Sequence, residues 1–144
     1  MEFHTDAQRL CYEKVKPWLK ELFGELAEPR ENVPVFTMPF GSALVNISVV
    51  PWGEEDATIR IRAFVVTKVE IVPDLALFLL RQNDKVRFGA FGLDGDDDIF
   101  FDYTIVGSSC QKNSLKAAVF AVARTADEFD DPLVARFGGE RAVD

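Results

Sequence analysis

The stretch KVRFGAFGLDGDDDIFFDYTIVG, residues 85–107, admits two readings with different consequences for the fold. Asp94, Asp96 and Asp98 copy the alternating ligands that open a helix–loop–helix calcium site. The same residues also suit an acidic turn between two strands. A calcium loop needs glycine at its sixth position and a bidentate glutamate at its twelfth, and those places hold Ile99 and Ile105. Both flanks carry β-branched and aromatic residues, and Asp and Gly make the join. The strand reading wins: a hairpin whose acids face water and discourage pairing with other strands. Gly89, Gly92 and Gly95 lack the spacing, the Lys-Ser/Thr ending and the following helix of a phosphate loop. Glycine inside a strand marks a bulge or the close approach of a ring, so Gly89 and Gly92 are expected to make room for Phe or Trp.

Upstream, VPVFTMPF, GSALVNISVVPW and ATIRIRAFVVTKVEIV read as three consecutive strands separated by Pro, Gly and acidic breaks. In the third, Ile59, Ile61, Ala63, Val65, Val69 and Ile71 alternate with Arg60, Arg62 and Lys68, the period of a strand with one buried and one wetter face. PWGEEDA fits a hairpin connection. PDLALFLLRQND reads as a short helix, with Asp74 as its cap and Asn83 as its terminator.

The chain opens with Thr5 and Gln8 in capping-box spacing, and apolar residues follow at Cys11, Val15, Trp18, Leu19, Leu22 and Leu26. This predicts a helix over residues 5–27, kinked at Pro17 or restarting there. After the acidic hairpin, Asn113 or Ser114 caps a long helix carrying Leu115, Ala118, Val119, Val122, Ala126 and Phe129; Asp130, Asp131 and Pro132 end or reset it. The order is α-β-β-β-α-β-β-α: an α+β fold, an antiparallel sheet of about five strands flanked by helices, in a single domain over residues 1–144.

Composition narrows the function. Of 144 residues, 48% are hydrophobic and 13 are Phe, which supplies a core without a metal or disulfide staple. The net charge of −8 opposes nucleic acid or anionic lipid as a partner. Acids precede any apolar run at the N-terminus and no stretch reaches the roughly 18 apolar residues of a membrane helix, so a cytoplasmic protein is expected. Two distant cysteines, Cys11 and Cys110, and one histidine, His4, are too few for zinc and offer no nucleophile–base pair. His4 is expected to be solvated on a mobile terminus. Glu54, Glu55, Asp56 and the acidic turn read as solvated loop carboxylates. No catalytic residue, cofactor or metal is expected.

Two surfaces remain as binding candidates. Arg60, Arg62 and Lys68 could bind an acidic peptide or small anion, or simply occupy the wet side of the sheet. Trp18 and Trp52 read as core-edge anchors. In the second helix, Leu75, Leu77, Phe78, Leu79 and Leu80 belong to an apolar run that covers more than one face, and a two-layer domain lacks a third layer to hide it. These five residues are the candidate homodimer interface; the AAVFAVA run of the last helix is the other candidate element.

The block LLRQNDKVRFGAFGLDGDDDIFFDYTIVG, followed by VARTADEFDDPLVARFGG, resembles the bacterial YbjN family, whose domain is similar to the type III secretion chaperone fold. The shared marks are Asn83 ending the central helix, Phe88-Gly89, an acidic Gly-containing turn, Phe101 to Tyr103, and Gly138-Gly139. The resemblance implies an antiparallel sheet with flanking helices, often dimeric, that holds extended segments of client proteins. It implies no catalytic residue and no cofactor. The expected function is therefore a non-enzymatic protein-binding module, chaperone-like or regulatory, with an unknown protein partner; the alternative is a small-ligand or anion-sensing regulator using Arg60, Arg62 and Lys68.

Overall fold

A computed structural model describes residues 1–142. Helix α1 (Asp6–Phe23) starts as the capping box requires: the Thr5 hydroxyl accepts from the Gln8 N–H at 3.0 Å. It runs through Pro17 as one element and stops at Gly24, whose φ of 61° turns the chain out of the helix, so the expected span to residue 27 is shortened. A single 3₁₀ turn, Gly24–Leu26, follows. The terminus before α1 is held down, because Phe3 packs on Tyr12 with ring centroids 5.4 Å apart.

Among the described residues seven strands, not five, make the sheet: β1 (Glu28–Pro29), β2 (Val35–Phe40), β3 (Ala43–Trp52), β4 (Asp56–Thr67), β5 (Ala90–Leu93), β6 (Ile99–Val106) and β7 (Glu140–Arg141). The two additional strands are two residues long, too short for any alternation to show in sequence. All pairings are antiparallel, in the order β1-β2-β3-β4-β6-β5, and β7 pairs with β4 beyond the end of β3. The hairpin read from residues 85–107 is present, with Leu93 opposite Ile99. Its first strand is shorter than the sequence run, because α2 (Pro73–Lys85) continues to Lys85 and Gly89 adopts φ 82° before the strand begins.

Alternation puts Phe36, Met38, Val45, Ile47, Val49, Ile59, Ile61, Ala63, Ile99 and Phe101 on one face, all buried. Helices α1 and α3 (Lys112–Phe137) cover that face with Val15, Leu19, Leu115, Val119 and Val122, while α2 lies against β5. Each fully buried Leu, Ile or Phe contributes about 1.5–3 kcal/mol. The opposite face is open, as an antiparallel sheet permits. Both glycines make room as expected, Gly92 within β5 and Gly89 just before it: a Cβ on Gly92 would come within 2.5 Å of the Phe100 ring, and one on Gly89 would strike the Asp102 carbonyl and the Phe101 ring.

Helix α3 begins at Lys112, before the expected caps Asn113 and Ser114, and Pro132 neither ends nor resets it. Leu133 beyond the proline is buried, so core contacts hold the helix through the missing hydrogen bond. The β2–β3 turn is tied to α3: Ser42 N–H donates to Asp127 Oδ1 at 2.8 Å, and the Ser42 hydroxyl lies within hydrogen-bond reach of Asp127 and of buried Asp130. These bonds hold the Asp127 carboxyl below the usual carboxylate range.

Candidate functional site

The three cations singled out from the sequence do not form one site. Arg62 donates from Nε and Nη2 to Asp102 Oδ2 at 2.9 and 2.6 Å, and its guanidinium lies 3.7 Å from the centroid of the Phe100 ring. Lys68 lies beyond an irregularity between Phe64 and Val66 that breaks the alternation, has φ 55°, and pairs with Glu140 at 3.3 Å. Arg60 alone is exposed and has no ion pair or hydrogen bond among the described residues.

The candidate dimer residues divide in the same way. Leu75 and Leu79, four residues apart on one face of α2, belong to the chain's own core and are unavailable to a second copy, which corrects the expectation for these two. Phe78 packs on Phe137 at 5.8 Å under the guanidinium of Arg136. Leu77 and Leu80 point to solvent, 46% and 65% exposed.

In the acidic turn, Asp94 Oδ1 accepts from the N–H of Asp96 at 2.9 Å and of Asp98 at 3.0 Å. The carboxylate that would open a cation site is thus the clasp of the turn. Asp98 is pushed above the usual carboxylate range, by burial first and then by Asp94 and Asp96. Cys11 and Cys110 are buried free thiols whose pKa burial raises, which disfavours the thiolate a nucleophile needs.

The main-chain groups along the sheet edges locate the open part of the molecule. Val49 N–H donates to the Pro34 carbonyl at 3.0 Å, which fixes the parity: Phe36, Met38 and Phe40 direct their groups to β3, and Val35, Thr37 and Pro39 direct theirs outward. Arg30 N–H takes the Val35 carbonyl at 2.8 Å, Glu28 pairs opposite Thr37, and Pro39 has no N–H to offer. That edge is closed.

At the other end Phe91 turns both its groups away from β6, and Asn83 meets them. Its Oδ1 accepts from Phe91 N–H at 2.7 Å and its Nδ2 donates to the Phe91 carbonyl at 3.2 Å, so one side chain stands where a neighbouring strand would be.

β5 ends at Ala90, opposite Asp102, and β6 continues for four residues. Among the described residues, Tyr103–Val106 therefore have β4 on one side and no strand on the other. The same parity aims the N–H and C=O of Thr104 and the N–H of Val106 at the open side, where no hydrogen-bond partner meets them among the described residues, while the Val106 carbonyl begins the 3₁₀ turn Gly107–Ser109. Beside this edge, on the helix side of the sheet, lies a cleft of about 430 Å³ lined by Phe88, Tyr103, Ile105, Asn113, Ala117 and Ala118. Phe88 meets Tyr103 edge-on at 5.9 Å and is 44% exposed. An open strand edge with an apolar cleft under it can hold an extended chain by main-chain bonds and alternate side chains. Reading the sequence missed this site; the residue that creates it, Gly89, was visible, but its power to cut the strand short was not.

A family model described as T3SS (YopN, CesT) and YbjN peptide-binding chaperone 1 matches residues 11–144. Among solved structures, a chain in "Structure of the HopA1-SchA Chaperone-Effector Complex" is similar with a TM-score of 0.57 and 14% sequence identity, covering 85% of this chain and 98% of that chain. At that identity the likeness concerns the fold. No curated protein matches the chain.

Proposed function

The chain belongs to the T3SS (YopN, CesT) and YbjN peptide-binding chaperone 1 family, and from that premise we propose that it is a non-enzymatic module that holds an extended segment of a partner protein along the free end of β6. The observation that carries this reading is the contrast among edges: Pro39 and Asn83 close two of them, while the N–H and C=O of Thr104 and the N–H of Val106 stay open above an apolar cleft. A partner strand would gain its affinity from those groups and its selectivity from Phe88, Tyr103 and Ile105.

Consistent with a cytoplasmic setting, Cys11 and Cys110 are free thiols that serve as small buried hydrophobes. The protein works as a homodimer through the solvent side of α2, centred on Leu77 and Leu80 with Phe78 at the margin. Charge favours this pairing modestly: α2 carries Asp74 in its first turn and Arg81, Asp84 and Lys85 toward its end, so an antiparallel two-fold contact sets the acid of each copy near the net positive end of the other. An anion-sensing role gains no support from Arg62 and Lys68, which already have carboxylate partners.

Substituting Thr104→Pro tests the edge. It removes an outward N–H that makes no bond within the chain, and proline is tolerated at such a position. With peptides tiled from proteins that co-purify with the chain, the variant is expected to bind about tenfold more weakly than the parent, the loss of one hydrogen bond and close approach. Equal binding by both proteins, or no binding of any peptide by the folded parent, contradicts the proposal.

A further inference from the structure

Resting on the reading of β6 as the docking edge, we infer that the held segment carries an acidic residue at the position facing Thr104 on the open face of the sheet. The sheet itself shows the rule. One rung of β4 and β6 pairs Arg62 with Asp102, and there the guanidinium is satisfied across the strand gap at 2.6 Å. The next rung on the same face pairs Arg60 with Thr104, where a short neutral side chain stands in place of the acid. Arg60 is exposed and unpaired among the described residues, although the chain carries 24 acids against 16 Lys and Arg.

A strand added beside Thr104 would lie two strand spacings, roughly 10 Å, from β4. An extended arginine spans most of that distance across the low Thr104 side chain, so an Asp or Glu at the adjoining position completes the rung that Arg60 begins. Neighbouring residues of the segment point to the helix side, where the cleft of Phe88, Tyr103 and Ile105 takes apolar side chains. The occupant is thus an extended peptide that alternates apolar and polar residues, with a carboxylate at the central polar position. A second copy pairing β6 to β6 is disfavoured, because it would set Thr104, Val106 or the already paired Asp102 at the adjoining position and so supply no free acid.

Two synthetic peptides make the test, both capped at their ends and alternating valine with threonine, one with aspartate and one with lysine at the central outward position. Each is titrated into the full chain and into Arg60→Glu, with the backbone amides of Thr104 and Val106 followed by NMR. The aspartate peptide is expected to bind the parent about fivefold more tightly than the lysine peptide, the scale of an exposed ion pair, and the order reverses in Arg60→Glu. Equal affinities, with the Thr104 and Val106 amides still shifting, overturn the acid preference and leave strand addition standing. Absence of those shifts with both peptides overturns strand addition itself. Shifts that grow with protein concentration alone identify a second copy as the occupant and overturn the inference.

Discussion

Asn83 and Gly89 decide how the central hairpin is finished. Asn83 satisfies both outward groups of Phe91 with one carboxamide, so Asn83→Ala leaves a buried-strand donor and acceptor without their partner. The expected loss is about 1–3 kcal/mol, read from the urea midpoint, together with a tendency to aggregate through the newly opened β5 edge. Asp127 gives a pH signature. Its folded-state pKa is depressed by the bonds from Ser42, so its contribution is present above the unfolded carboxylate value of about 3.9 and is lost as pH falls through the lower folded value. Asp127→Asn is therefore expected to lower Tm at neutral pH, and its difference from the parent should shrink below about pH 4. A constant difference down to strongly acid pH would assign the effect to geometry alone. At the acidic turn the carboxylate oxygens of Asp94, Asp96 and Asp98 lie within 4.8 Å of one another, yet calcium is expected to leave Tm unchanged, because Ile99 and Ile105 stand where a calcium loop needs its glycine and its bidentate glutamate; a clear rise at low calcium would contradict that.

At the scale of elements, α2 shows what periodicity can and cannot reveal. The run Leu75–Leu80 is apolar on every side, and only packing against β5 decides that Leu75 and Leu79 go inward while Leu77 and Leu80 face out. The substitution that tests the dimer is therefore Leu80→Glu rather than Phe78→Glu, since Phe78 also packs on Phe137. Leu80→Glu is expected to change stability by no more than about 0.5 kcal/mol and to give a folded monomer by light scattering; an unchanged mass would remove α2 from the interface. The same limit governs the strands. Alternation in ATIRIRAF exposed the two faces of β4 directly, because each side chain's direction follows from its own position. Lys68 escaped that rule, because the irregularity near Phe64 and Val66 depends on how β6 pairs, a contact between distant parts of the chain. The extra strands β1 and β7 and the continuation of α3 through Pro132 are likewise set by tertiary pairing and burial rather than by local preference.

On the scale of the whole molecule, one covered face, one open face and three differently treated edges form a single arrangement. The helices consume the apolar side of the sheet; the open face carries a polar rung, Asn46–Arg62–Asp102, beside the unfinished rung of Arg60 and Thr104. The sequence made the α+β order, the hairpin and the family resemblance legible, since each rests on runs of neighbouring residues. It left the docking edge hidden, because an edge is a difference in length between β5 and β6 that only the register discloses. The pairing of Arg62 and Lys68 was hidden as well, for their partners Asp102 and Glu140 lie 40 and 72 positions away in the chain. The central claim is that a partner peptide extends the sheet at Thr104 and Val106. Amide hydrogen exchange of the chain with and without a bound extended peptide tests it most directly. Slowed exchange confined to the Thr104 and Val106 amides, and weakened at Val106 in Thr104→Pro at the same peptide concentration, is the predicted result; unchanged exchange at those two amides with protection elsewhere would contradict the account.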